Sequence, residues 1–478
     1  MKKSHNEQSI ESKFGEELGG SVDWAVSGGV FFHWEGSFWQ ARVIERTEET
    51  EDAEGVEVMK SVAYKWLKAN YPAEASDRKS NELIKTAMLD CRRLPKAGNR
   101  NIVPTNGCYL EICPDGKIQA LQPERELGIT HLVNADIGIH QGVYTPRDLP
   151  SDSLFYHFLN SSLPQPEVRE IVQEYVGYTL ISSTKFQVGQ LWLGEGRNGK
   201  SVLLEIVQAL HAKTASMSLN RLTDFYLQPL VGASLACVSE VPKTGVDGEM
   251  FKSLIAGDLI SVNRKHKDVM GYKPTAKWLM AANNLMKTND HSDGWWRRLQ
   301  IIPWSVQIPD NQLIPDLAEM VCAKELNLVL DWALQGVSRL LKRGLFDVSS
   351  TLLTTTRQEA IEASNPVAAW LAEIEPVSHQ IGMPKNDVFI AFRKWADDNN
   401  YRCPEKNVFW QEMRRVLKNR FEIDKRYQRQ HCGQSVDYVR FAFGDALRNL
   451  EAPWDDDETP ATEFIQPRTK PIQLGARF

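Results

Sequence analysis

A chain of 478 residues, 42% hydrophobic and 25% charged, is long for one domain and suits two to four globular ones. Its net charge of −6 argues against nucleic-acid binding by the whole surface, but leaves room for a local basic patch or a basic loop inside a ring. The seven cysteines are scattered and odd in number, with Cys108 and Cys113 the closest pair, which points to reduced thiols and to neither a disulfide framework nor a zinc site.

The start, Met1-Lys2-Lys3-Ser4, leads into charged sequence and predicts no signal peptide. No run of eighteen apolar residues occurs, so no membrane span is expected, and the expected location is the cytoplasm of a bacterium or of a virus-infected host cell. Residues 1–20 are polar and are expected to be disordered. An N-terminal α+β domain is expected over 21–150. In it, Val30-Phe31-Phe32-His33-Trp34 and Phe38-Trp39-Gln40-Ala41-Arg42-Val43 flank Glu35-Gly36-Ser37 as a β-hairpin. The acidic run 45–54 reads as a solvated loop, and amphipathic helices are expected near 57–70 and 79–93, closed by Pro72 and Pro95. Strands return from Asn101 to Ile137, with turns at Asn106-Gly107 and Asp115-Gly116.

An ATPase domain is expected over 151–345. Residues 152–184 read as helices that lead into the apolar strand Val188-Gly189-Gln190-Leu191-Trp192-Leu193. The stretch that follows, Gly194-Glu195-Gly196-Arg197-Asn198-Gly199-Lys200-Ser201, has the Gly-x4-Gly-Lys-Ser spacing of a phosphate loop and opens a helix marked by Val202, Leu203, Ile206, Val207 and Leu210. Such a loop turns backbone N–H groups around phosphate oxygens at a helix N-terminus. Lys200 would reach the β- and γ-phosphates of ATP, and the Ser201 hydroxyl would ligate Mg²⁺.

A carboxylate is then needed beyond a neighbouring strand. Leu235-Ala236-Cys237-Val238-Ser239-Glu240 supplies Glu240, forty residues after Lys200, to polarise water and help hold the metal. Lys277-Trp278-Leu279-Met280-Ala281-Ala282 ends in Asn283, whose amide can bond the γ-phosphate and the lytic water. Arg297 and Arg298 follow Trp295-Trp296 and fit either a surface cation–π cluster or fingers that project into a neighbouring copy's site. Arg264-Lys265-His266-Lys267, at a hairpin tip between apolar strands, suits a grip on DNA phosphates.

Residues 346–444 change character: three helices near 366–373, 385–398 and 408–419, then a hairpin through Cys432-Gly433-Gln434, make the winged-helix pattern. From Lys385 to Arg440 thirteen Lys/Arg face eight Asp/Glu, a balance that suits phosphate contact. The tail 445–478, acidic and proline-bearing, is expected to be flexible.

Taken in order, Gly194–Ser201, Glu240, Lys252 with Gly257-Asp258, Arg264–Lys267, Asn283 and Trp296-Arg297-Arg298 resemble the motif set of superfamily-three helicases, more closely the helicase half of phage, plasmid and poxvirus primase-helicases. The resemblance covers most of residues 30–443 and implies an AAA+-like P-loop core with an N-terminal α+β collar and a C-terminal winged helix. It implies ATP and Mg²⁺, a homohexameric ring with ATP between subunits, and 3′ to 5′ translocation on single-stranded DNA at forks. Arg298, or in second place Arg297, would then act from the adjoining subunit, and the 264–267 hairpin would track the strand. Ser239 stands where many relatives carry a second acidic residue, and Met286 where proline is common. No zinc ribbon or carboxylate cluster marks a primase, so a separate primase or loader is the expected partner. The rival readings are an origin-binding initiator whose ATPase controls assembly without unwinding, and a regulatory ATPase acting on proteins.

Overall fold

The computed structural model describes residues 8–42, 58–96, 98, 100–241, 246–264, 267–285, 290, 292–374, 383–399, 401, 403–417, 421–431 and 434–441. The acidic run at 45–54 and the tail from 445 lie outside the described residues. The chain divides between Thr354 and Thr355 into two compact units, nine residues beyond the boundary expected from sequence. Among the described residues no helix is long and apolar enough to cross a membrane.

The first unit opens with a four-stranded sheet, β1 (Trp24–Ser27), β2 (Val30–Trp34), β3 (Trp39–Arg42) and β4 (Arg92–Arg93), in the order β3-β2-β1-β4. The expected hairpin pairs Trp34 with Trp39. Side chains alternate across the pleat. Val26 and Phe31 face one way, onto helices Met59–Asn70 and Asp77–Asp90, whereas Ala25, Phe32, Trp34 and Trp39 join Ile102, Tyr109 and Ile129 on the other. Disorder up to residue 20 is corrected here: Ile10–Gly20 is a helix. The Ser9 hydroxyl caps it by accepting from Ser12 N, and Phe14 and Leu18, four residues apart on one face, are buried against Met59, Leu83 and Ala87.

A second four-stranded sheet has the order β5-β6-β7-β8: β5 (Ile102–Pro104), β6 (Tyr109–Ile112), β7 (Ile118–Leu121) and β8 (Gly142–Tyr144). Its apolar residues Val103, Leu110 and Ile118, with Val133 from the segment between β7 and β8, lie in the same core as Phe155, Trp192 and Leu203. One core therefore crosses the boundary expected at 150.

The centre of the unit is a five-stranded sheet: β9 (Gly189–Leu193), β10 (Thr214–Ser216), β11 (Leu235–Val238), then, beyond the hairpin of β12 (Ile260–Arg264) and β13 (Lys267–Tyr272), β14 (Lys277–Ala282) and β15 (Leu299–Pro303). The order is β10-β11-β14-β9-β15, and every pairing is parallel. Covered on both faces, β11 and β14 are buried at every position, so they read as apolar runs with no alternation. Helices Leu154–Ser162, Pro166–Thr179, Lys200–Ala209 and Leu317–Arg343 supply the covering layer, and the last is tied to the second by ion pairs from Arg339 (2.7 Å) and Arg343 to the buried Glu174.

The second unit holds helices Pro366–Ile374, Lys385–Asp398 and Lys406–Leu417, followed by β17 (Phe421–His431) and β18 (Gln434–Phe441), with β16 (Met383–Pro384) on the other side of β18. Val367, Trp370, Val388, Phe392, Phe409 and Met413 form its core.

Candidate functional site

The glycine loop hangs from the carboxyl end of β9 and closes on the N-terminus of the ten-residue helix Lys200–Ala209. Gly199 caps that helix at φ +86°, a left-handed conformation that glycine adopts without a Cβ penalty. A Cβ there would lie 2.5 Å from Ser162 Oγ and 2.8 Å from the Phe158 ring, and one on Gly194 would lie 2.2 Å from the Trp304 carbonyl. A Cβ on Gly196 would meet open space. The loop is thus packed from beneath at both ends and open at its middle, as a cradle for an anion must be.

Lys200 is 5% exposed and donates to Gly194 O (2.7 Å), Glu195 O (3.1 Å) and Asn198 Oδ1 (2.9 Å). Burial lowers its pKa to about 8. Asn198, itself buried, donates through Nδ2 to the Glu195 and Trp304 carbonyls. Ser201 lies exposed in the first turn of the helix. The donor set is of the kind that takes a polyphosphate with Mg²⁺: an ammonium held within the loop, a hydroxyl in the first turn of the helix that the loop opens, and that helix's N-terminus.

Sheet register places the other expected residues. Ala282 pairs with Leu193 and Val238 with Met280, so Gly194, Asn283 and the Ser239-Glu240 step all emerge at the carboxyl edge of adjacent parallel strands. Glu240 and Asn283 are exposed there. Because β14 lies between β11 and β9, Asn283 stands between the carboxylate and the loop.

Arg297 and Arg298 lie elsewhere. Leu299 pairs with Gly189, so both arginines precede β15 at the amino edge of the sheet, a strand length of roughly 13 Å from the loop. Arg298 donates to Gly294 O (3.0 Å) and Gln187 Oε1 (3.4 Å), and its pKa is lowered, by burial first and then by Arg297. The Arg297 side chain is exposed. Nearby, Lys252 pairs with Asp290 at 2.7 Å.

In the β12–β13 hairpin, Arg264 pairs with Lys267 through the backbone; Lys265 and His266 lie outside the described residues. Sequence reading missed two groups. A 3₁₀ segment, Asp224–Leu230, carries Phe225 and Tyr226, each 52% exposed, and the Arg221 guanidinium lies 5.0 Å above the Tyr226 ring. Tyr272, the last residue of β13, ties this segment to the hairpin: its hydroxyl donates to Leu230 O (3.1 Å) and accepts from Gly232 N (2.9 Å). The adjacent aromatic pair was the available signal. Beyond β15, Ile308 N donates to Arg197 O (2.8 Å), Gln307 to Glu195 Oε2 (3.1 Å), and Arg197 pairs with Asp310 (2.5 Å). Nothing in the local pattern of 305–312 announces these contacts.

Residues 192–298 match a family of unknown function (DUF5906), a span that holds Gly194–Ser201, Glu240, Arg264–Lys267, Asn283, Arg297 and Arg298 but not the basic stretch 385–440. A candidate helicase of Acanthamoeba polyphaga mimivirus, L207/L206, is 25% identical over 158 residues, which is 31% of this chain and 16% of that protein. A candidate helicase of Invertebrate iridescent virus 3, 121R, is 20% identical over 278 residues, 50% of this chain and 30% of that one. The chain thus spans less than a third of either relative. Two solved structures of the NrS-1 C-terminal region align over 70% of this chain and 94% of theirs, with TM-scores of 0.39 and 0.38 and identities of 10% and 9%.

Proposed function

We propose that this chain is an ATP-dependent DNA helicase of a phage, prophage, plasmid or viral replication system, built on an AAA+-like core and working as a homohexameric ring on single-stranded DNA. The observation that carries the reading is the meeting of three strand ends. The loop Gly194–Ser201, Asn283 and Glu240 leave β9, β14 and β11 at one edge of a parallel sheet, with the amide's strand between the other two. The carboxyl edge of such a sheet is where open α/β folds bind nucleotides. The likeness to two viral relatives named as candidate helicases supports the same class.

In this reading Lys200 leaves its loop carbonyls to bind the β- and γ-phosphates, and Ser201 and Glu240 would hold Mg²⁺. Mg²⁺ held there would supply positive charge to offset that of the phosphate oxygens. Glu240 orients and polarises the attacking water, and Asn283 fixes its position. Arg297 and Arg298, a strand length from their own loop, serve in this reading an adjoining subunit, where a guanidinium would offset charge that develops in the transition state. Of the two, Arg297 is the more exposed, whereas Arg298 is held by Gly294 O and Gln187. The hairpin tip 264–267 takes DNA phosphates, and Phe225 with Tyr226, on the segment that Tyr272 ties to the hairpin's base, offers bases a stacking surface. The three helices and hairpin of the second unit act as a winged helix.

Forked-DNA unwinding and ATP hydrolysis, measured together, test this. Wild type should unwind, Lys200→Ala should lose both activities, and Lys265→Ala should lose unwinding while keeping hydrolysis. Sequence-specific duplex binding with no strand displacement would refute the helicase reading in favour of an initiator.

A further inference from the structure

We infer that the segment Ser305–Ile314 is the nucleoside end of the nucleotide site, with Leu313 and Ile314 forming the apolar face that takes a purine base. The inference rests on the nucleotide reading above and adds to it the place and chemistry of the base. The direction of the bound nucleotide follows from strand order. The loop hangs from β9; Asn283 and Glu240, which face the terminal phosphate, lie on its β14–β11 side. The nucleoside must therefore extend towards the other flank, where β15 is the neighbour. What emerges from the carboxyl end of β15 is this segment.

Its attachment to the loop is built, and lies at the loop's outer residues. Trp304 N donates to Leu193 O (2.7 Å), Ile308 N to Arg197 O (2.8 Å) and Gln307 Nε2 to Glu195 Oε2 (3.1 Å), while Arg197, itself at φ +62°, pairs with Asp310. Such contacts hold the segment alongside the phosphate cradle whether or not the exposed ion pair contributes much by itself. A 3₁₀ turn, Asp310–Gln312, then presents Leu313 and Ile314 to solvent, 46% and 49% exposed. Leu313 and Ile314, three and four residues beyond the Arg197–Asp310 pair, give a flat apolar group a surface to cover, and a purine attached to the bound phosphates would be brought towards them by its own tether.

The test is calorimetric titration of the full chain with ADP and with pyrophosphate, each with Mg²⁺, for wild type, Leu313→Ser/Ile314→Ser and Lys200→Ala. Wild type should bind ADP at least about tenfold more tightly than pyrophosphate. The double variant should lose most of that preference, with pyrophosphate affinity unchanged. Unchanged ADP affinity in the double variant, or an equal loss for both ligands, overturns the assignment of the base to this segment. Lys200→Ala should lose both ligands; if it keeps them, or if wild type binds neither, the phosphate-loop reading itself fails and takes this inference with it.

Discussion

Replacing Gly199 by alanine probes the cradle through its packing. The residue sits at φ +86°, where an L side chain costs about 1–2 kcal/mol. The new methyl carbon would also stand 2.5 Å from Ser162 Oγ and 2.8 Å from the Phe158 ring, an overlap of the kind that costs about 1–3 kcal/mol. Loss of backbone freedom in the unfolded chain returns about 0.4–1 kcal/mol. The expected net destabilisation is about 1–4.6 kcal/mol, read from urea denaturation of the full chain. Gly196→Ala, in open space and free of a left-handed φ, should leave stability unchanged or raise it by about 0.4–1 kcal/mol. Part of the Gly199 effect belongs to the Ser162 contact, so Gly199→Ala should cost about 1 kcal/mol less in a Ser162→Ala background. A Gly199→Ala protein as stable as wild type, or a Gly196→Ala protein damaged equally, would refute the packing described here.

Two further outcomes follow from the site. Burial holds the Lys200 pKa at about 8, below its usual value, so its neutral form is favoured in the free protein above that pH and the group's contribution to stability is lowest below pH 8 and recovers as pH rises towards its unfolded value. Phosphate favours the charged form, so nucleotide binding should take up a proton above pH 8, and affinity should fall by up to about tenfold per pH unit there; calorimetry at pH 9 in two buffers of different ionisation enthalpy measures both. Removal of both exposed rings, in Phe225→Ala/Tyr226→Ala, should weaken single-stranded DNA binding by about 1–3 kcal/mol per lost base stack while duplex binding changes little; fluorescence anisotropy reports the difference.

Much of the candidate site was legible because its parts are local. A strand, a glycine loop and a helix start are written in consecutive residues, and β11 and β14 announce themselves as apolar runs ending in Glu240 and Asn283. The helix at Ile10–Gly20 was missed because only Phe14 and Leu18 mark its buried face, amid glutamates and glycines. The boundary at 150 did not survive as a break in the core, because Val103, Leu110 and Val133 bury against residues far along the chain. Lys277 reads as the polar start of a strand, yet it is 3% exposed, with its amino group bonded to the Ile181 and Thr275 carbonyls and lying 5.0 Å over the Tyr178 ring.

The sequence by itself determined where a glycine loop turns into a helix, which segments form buried strands, and which polar groups end them, since backbone conformation and apolar periodicity are properties of neighbouring residues. Only the tertiary structure decided that β14 lies between β11 and β9, that both arginines stand at the far edge of the sheet from their own loop, and that residues 305–312 strap that loop. Strand order, edge and strap arise from burial and pairing shared between residues from about 40 to about 110 positions apart, and no local pattern records which of several compatible partners a strand will take.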